Sequence, residues 1–150
     1  MPRRLDGRTA LVTGASSGIG NAIAAAFAGE GAIVVIADIR REPKLDHEVS
    51  VFRKINDVEG DATFVETNVS DDEEVAEAVE TAVDTYGTLD ILVNNAGIYH
   101  QYQAHETDDD VWNDIIDVNL SGSFKMAREA LSELKKSDYG KIINLSSIYG

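Results

Sequence analysis

The chain contains no cysteine, which excludes disulfides and thiolate chemistry. Its three histidines, His47, His100 and His105, lack the usual spacing of metal ligands, so no zinc or other metal site is expected. No apolar run approaches the ~20 residues needed to span a bilayer, and the N-terminal MPRRLDGRT has no apolar stretch of the kind found in a secretory signal. A cytoplasmic protein without a membrane partner is therefore expected. Basic charge is scarce: 13 Lys and Arg, six of them lysine, stand against 27 Asp and Glu, for a net charge of −14. That field repels nucleic acid and anionic lipid. The acidic clusters Asp71-Asp72-Glu73-Glu74 and Asp108-Asp109-Asp110 fall at helix starts, where carboxylates act as solvated partners of the helix dipole rather than as cation sites. The excess spread over the surface points to a halophile, in which salt screens the self-repulsion. Thermal unfolding is then expected to move upward between low and molar salt, and a flat response would contradict this.

At 150 residues the chain has the length of one domain, able to bury roughly 68–70% of its unfolded surface. Short, nearly uninterrupted apolar runs at Thr9–Thr13, Ile33–Ala37, Thr63–Glu66, Leu89–Val93 and Lys141–Leu145 read as strands covered on both faces. Between them, Ile19–Glu30, roughly Glu48–Glu59, Asp71–Tyr86 and Asp110–Lys136 are long enough for crossover helices. The alternation predicts an α/β fold with a doubly wound parallel sheet of about five strands, filling residues 1–150 as one domain. Ser70-x-x-Glu73 forms a capping box, followed by Val75, Val79 and Val83 on one face and by Gly87 as a stop. In the last helix Leu120, Phe124, Ala127, Leu131 and Leu134 make one stripe, expected to pack on its own sheet. Residues Ile39–Asp46, with Pro43 inside, read as a loop.

The first strand runs into Thr13-Gly14-Ala15-Ser16-Ser17-Gly18-Ile19-Gly20 and then an Ala-rich helix. One glycine serves the sharp turn, one the approach of backbone to a phosphate, and one the close packing of helix on sheet. The helix start offers free N–H groups and the positive end of its dipole to a pyrophosphate. Glycines alone are weak evidence, but the strand before and the helix after supply the context of a dinucleotide site. Asp38 closes the second strand 18 residues after Gly20. A carboxylate there accepts from the adenosine ribose hydroxyls and repels a 2′-phosphate, which favours NAD over NADP. Arg40 and Arg41 keep NADP open, since either can reach a 2′-phosphate if the loop folds back.

With Thr13-Gly14-x-x-x-Gly18-x-Gly20 in place, the sequence resembles the short-chain dehydrogenase/reductase family. Leu92-Val93-Asn94-Asn95-Ala96-Gly97 is similar to its NNAG motif, Asp117-Val118-Asn119-Leu120 to the segment with its catalytic asparagine, and Ile142-Ile143-Asn144-Leu145-Ser146-Ser147 to the strand ending in its catalytic serine. The likeness runs from about Asp6 to Gly150. It implies a Rossmann-type sheet in the order 3-2-1-4-5, with further strands and helices beyond the residues given. By the same resemblance Gly14, Ser16, Ser17, Gly18, Ile19 and Gly20 hold the pyrophosphate and neighbouring ribose. Asp38 and Ile39 hold the adenosine ribose, Asn68 and Val69 flank the adenine, and Asn95, Ala96 and Gly97 line the groove. Many relatives have Asp at the position of Asn68, whose side-chain oxygen can still accept from the adenine amino group. Ser17 and Ile39 stand where NADP-dependent relatives often place a basic residue.

The family's chemistry is hydride transfer between nicotinamide and a secondary alcohol or ketone, performed by an Asn-Ser-Tyr-Lys set. Asn119 would hold a water of the proton relay and Ser147 the substrate oxygen. The tyrosine and lysine are missing, because the residues four after Tyr86, Tyr99, Tyr102 and Tyr139 are Asp90, Gln103, Glu106 and Ile143, and Tyr149 is one residue from the end. No Tyr-x-x-x-Lys occurs. Without that proton donor residues 1–150 are expected to turn over no carbonyl or alcohol substrate, and the natural protein is expected to continue past Gly150. The alternatives are a non-catalytic dinucleotide-binding or interaction module, or an unstable remnant with a bare apolar edge at its fifth strand. The resemblance also implies a homo-oligomer built on the long last helix. Tyr99, His100 and Tyr102 are candidates for a substrate pocket or for ordinary surface aromatics.

Overall fold

The computed structural model describes residues 2–148. Five strands, β1 (Thr9–Thr13), β2 (Ile33–Asp38), β3 (Ala62–Glu66), β4 (Ile91–Asn94) and β5 (Lys141–Asn144), form one parallel sheet in the order β3-β2-β1-β4-β5. The helices are α1 (Gly18–Gly29), α2 (Val51–Asn56), α3 (Asp72–Tyr86), α4 (Asp109–Ile116) and α5 (Gly122–Leu134). Because side chains alternate along a strand, the sheet feeds two cores. Leu11, Val35, Ala37 and Leu92 join Val75, Val79, Met126 and Ala130 under α3 and α5. Ala10, Val12, Val34, Ile36, Ile91 and Val93 join Ala24, Ala28, Val51 and Ile55 under α1 and α2. Every residue of β1 and β4 is buried, as their uninterrupted apolarity requires.

Several local expectations are corrected. The α3 cap is Asp71, not Ser70: the Asp71 carboxylate accepts from the Glu73 and Glu74 amides at 2.9 and 3.0 Å. Ser70 is unavailable as a cap because its amide and hydroxyl both donate to Asn68 Oδ1, closing a local turn. The helix expected over 48–59 is reduced to Val51–Asn56, since residues 39–50 fold over the glycine turn instead.

The long final helix is broken by a π-helical turn at Asp117–Ser121. A π turn inserts one residue and rotates everything after it by about a quarter turn relative to the α-helical phase. The buried face of α5 is Gly122, Met126, Ala130 and Leu134. Of the anticipated stripe, Leu120, Phe124 and Leu131 are exposed, and only Ala127 and Leu134 turn inward. Strand β5 is paired on one side only, and Ile142, Ile143 and Leu145 are exposed.

The opposite end of the sheet is held by Asp90, whose carboxylate accepts from the Thr9 amide at 2.9 Å, from Arg8 Nη1 at 3.3 Å and from the Ser137 hydroxyl. Arg8 also pairs with Asp138 and lies over the Tyr139 ring, 4.7 Å from its centre. Its hydrogen bond holds the Asp138 carboxyl below the usual carboxylate range, as the bond from Arg4 does for Glu30. Folded-state values below the unfolded ones mean that this stabilisation is complete above the unfolded carboxylate pKa of ~3.9–4.3 and is lost as pH falls through the depressed values. Urea midpoints measured from neutral pH down to about pH 2 are expected to fall less steeply in the double variant Arg4→Gln/Arg8→Gln than in the parent. An unchanged slope would remove these pairs from the acid response.

Candidate dinucleotide-binding site

Beyond the C-terminal end of β1 the chain must leave the sheet and enter α1 within a few residues. Gly14 and Gly18 make this possible at φ 64° and 58°, in the left-handed region that other residues rarely adopt. Gly20 serves a different need. A β-carbon there would lie 2.2 Å from the Gly14 carbonyl oxygen and 2.5 Å from Asn95 Nδ2, so only glycine lets α1 approach the turn this closely.

The turn is tied to the end of β4 by the Asn95-Ala96 segment. Thr13 Oγ1 accepts from the Asn95 and Ala96 amides, each at 3.0 Å, and donates to the Val93 carbonyl. Asn95 Nδ2 donates to the carbonyls of Thr13 and Gly14 at 3.0 and 3.1 Å. Asn94 turns the other way, donating to Asn144 Oδ1 and the Ser123 carbonyl and so joining β4 to β5 and α5. From β1 the chain winds outward through β2 and β3, then returns to β4 on the other side of β1. The gap between the ends of β1 and β4 is thus the switch point of the sheet, where α/β folds place ligands.

A cleft of about 450 Å³ opens there, within the range of small-molecule sites. Its walls bring together ten of the expected residues: Gly14, Ser17, Gly18, Asp38, Ile39, Asn68, Val69, Asn95, Ala96 and Gly97. Ser16 and Gly20 are buried outside that lining, and Ile19 is exposed. Ser16 has a supporting place: its amide donates to Asp38 Oδ2 at 3.0 Å and its hydroxyl to the Arg40 carbonyl at 2.6 Å. Asp38 Oδ1 accepts from the Arg40 amide at 3.2 Å, so backbone donors orient this carboxylate at the rim. Arg40 and Lys44 line the same rim. Arg41 is withdrawn, its guanidinium 4.3 Å from the Phe52 ring centre and 5.7 Å from that of Phe64.

Two of the expected site residues have their side chains engaged within the chain. Asn68 Oδ1 already accepts from the Ser70 amide at 3.1 Å and hydroxyl at 2.7 Å, which fills both lone-pair directions. An adenine amino group would have to displace the hydroxyl. Asn119 lies in the π turn and makes a reciprocal pair with Ile98: its Oδ1 accepts from the Ile98 amide at 2.8 Å and its Nδ2 donates to the Ile98 carbonyl at 2.9 Å. The side chain therefore fixes the segment that follows Gly97. Irregular helix turns of this kind gather at functional sites. Ser147 is exposed three residues past β5, at the same end of the sheet as the cleft. Tyr99 and Tyr102 are exposed, and neither they nor His100 line the cleft; His100 and Tyr102 stack with ring centres 6.3 Å apart. Tyr149 lies outside the described residues. Sequence reasoning missed Lys44, Thr67, Ile98 and Val118 as cleft walls. Thr67 and Ile98 adjoin motif residues and were within reach, whereas Lys44 is placed only by the fold of its loop.

The family model for short chain dehydrogenases matches residues 8–150. Over 147 residues the chain is 38% identical to the 3-oxoacyl-(acyl-carrier-protein) reductase FabG of Thermotoga maritima, covering 98% of this chain and 58% of the relative. It is 40% identical over 150 residues to the 2,5-dichloro-2,5-cyclohexadiene-1,4-diol dehydrogenase LinX of Sphingobium indicum, covering 100% of this chain and 58% of that one. A crystal structure of a Sinorhizobium meliloti protein assigned as a short-chain alcohol dehydrogenase superposes with a TM-score of 0.88 at 36% identity, over 99% of this chain and 57% of its own. The chain thus spans a little over half the length of these relatives, whose names are those of oxidoreductases. The glycine turn, the sheet order and the match over residues 8–150 agree: the chain belongs to the short-chain dehydrogenase family.

Proposed function

We propose that this chain is the cofactor-holding portion of an NAD-dependent oxidoreductase that moves hydride between nicotinamide and the carbon of a secondary alcohol or ketone. The observation that carries the reading is the cleft at the switch point, where the glycine turn faces Asp38 on one side and Asn95–Gly97 on the other. When bound, the dinucleotide supplies the hydride acceptor or donor. The residues Gly14, Ser17 and Gly18 present backbone to its phosphates, with Ser16, Ile19 and Gly20 shaping the turn. Asp38 and Ile39 take the adenosine ribose, Asn68 and Val69 border the adenine, and Ala96 and Gly97 form the floor toward the nicotinamide. Asp38 favours NAD, and the withdrawal of Arg41 onto Phe52 and Phe64 removes one cation available to a 2′-phosphate.

Asn119 positions the segment after Gly97 through Ile98, and Ser147 would hydrogen-bond the substrate oxygen. Residues 1–150 contain no Tyr-x-x-x-Lys, so proton transfer to or from that oxygen lacks its donor. The chain as given is expected to bind dinucleotide and to turn over no alcohol or carbonyl. The exposed Leu120, Phe124 and Leu131 support assembly with a second copy, as the family resemblance implies. NADH fluorescence titration, paired with an assay for NAD reduction over a panel of secondary alcohols, tests the reading. Saturable binding without turnover supports it; turnover by residues 1–150 alone would mean that another group in the chain moves the proton.

A further inference from the structure

Residues 39–50 form a strap over the outside of the glycine turn, and most of its ties are ordinary backbone bonds. The Arg40 carbonyl accepts from Ser16 Oγ at 2.6 Å, the Lys44 amide donates to Ser17 Oγ at 2.5 Å, and the Val49 carbonyl accepts from Asn21 Nδ2 at 3.1 Å. One tie is different in kind. The Gly18 amide, at the start of α1, donates to Glu48 Oε1 at 2.7 Å. A carboxylate thus occupies the place where the helix end favours an anion. Its other oxygen, Oε2, is buried and has no hydrogen-bond partner among the described residues. Lys54, on the following helix, is committed to Asn21 Oδ1 at 2.5 Å. A half-paired carboxylate held against a bare amide is poorly satisfied where it sits. Its anchoring amide is also a wall of the cleft that Asp38, Arg40 and Lys44 border.

We propose that Glu48 is a second determinant of dinucleotide choice: an internal anion that competes with cofactor phosphate for the Gly18 amide and, by its charge, disfavours a 2′-phosphorylated adenosine. The inference rests on the dinucleotide reading of the cleft. Arg40 and Lys44 on the rim would otherwise attract a 2′-phosphate. Asp38 on the same rim and Glu48, which is tied to the Gly18 amide and is not itself among the cleft-lining residues, offset them, and removing the charge of Glu48 leaves Asp38 alone to do so.

Calorimetric titration of NAD, NADP and adenosine into the parent chain, Glu48→Gln, Glu48→Ala and Glu48→Asp, each first shown to melt cooperatively, tests this. Glu48→Gln and Glu48→Ala are expected to tighten NAD about fivefold, as expected for removing a like charge a few ångströms away in a hydrated site, and to tighten NADP by more. Adenosine, which carries no phosphate, is expected to bind as before. Glu48→Asp keeps the charge but shortens the reach, so it is expected to free the amide while retaining the discrimination against NADP. Parent binding of NAD with no response to any Glu48 substitution overturns the inference and leaves the dinucleotide reading standing. An equal gain for NAD, NADP and adenosine also overturns it, since that pattern reports only a loosened strap. Failure of the parent and every variant to bind either dinucleotide overturns the dinucleotide reading and the inference with it.

Discussion

Replacing Gly20 with alanine is expected to abolish dinucleotide binding and to lower stability by several kcal/mol. The added β-carbon would stand 2.2 Å from the Gly14 carbonyl oxygen and 2.8 Å from its carbon. Both are backbone atoms that no rotamer change can move. Overpacking a well-filled interior costs about 1–3 kcal/mol where side chains can yield, and more where they cannot. Relief requires α1 to slide away from the turn, which would also break the bonds from Asn95 Nδ2 to the Thr13 and Gly14 carbonyls. The turn then loses the shape that presents its amides. Gly29→Ala is the control: a β-carbon added there would meet nothing within 4 Å and its φ is ordinary, so this helix-end change is expected to be neutral or to stabilise by up to about 1 kcal/mol. Urea unfolding together with NADH titration reads both effects. Equal behaviour of the two variants would show that the close approach at Gly20 carries no weight.

Asp38→Ala is expected to weaken NAD by roughly ten- to a hundredfold, equivalent to about 1.5–3 kcal/mol for losing hydrogen bonds to a charged acceptor. The same change removes the acceptor for the Ser16 and Arg40 amides and so loosens the rim. NADP should suffer less, because a repulsive charge beside the 2′-phosphate disappears while Arg40 and Lys44 remain. Asp38→Asn separates the two contributions, since it keeps an oxygen acceptor and removes the charge. It is expected to recover part of the NAD affinity and all of the relative gain for NADP. Competition between the two dinucleotides for NADH fluorescence gives the ratio directly. A ratio unchanged by either substitution would place the choice of cofactor elsewhere.

The sheet and its turn were legible because both are written in short stretches of chain. Strands buried on two faces must be largely apolar, and β1, β2 and β4 are, while β3 buries only Val65; a strand that enters a helix within five residues needs glycine at Gly14 and Gly18. What was not legible depends on contacts far apart in sequence or on a break in period. The stripe Leu120–Leu134 follows a sound α-helical rule, but the rule does not say which face of the helix meets the sheet, and α5 turns Gly122, Met126 and Ala130 inward instead. Asn68 looked free to serve adenine because nothing in its own segment says that Ser70 will use its oxygen twice. The strap over 39–50 has no periodicity, so neither the Glu48 contact nor the withdrawal of Arg41 onto two phenylalanines left a pattern to read. The reciprocal pair between the Asn119 amide and the Ile98 backbone likewise spans 21 residues and left no local pattern to read.

The cleft between the ends of β1 and β4 is proposed to hold a dinucleotide and to prefer NAD. The most direct measurement is calorimetric titration of residues 1–150 with NAD and with NADP at one fixed molar salt concentration. Saturable binding of one dinucleotide per chain is expected, tighter for NAD than for NADP and lost in Gly20→Ala; no saturable binding, or a preference for NADP in the unmodified chain, would mean that the cleft does not serve this cofactor.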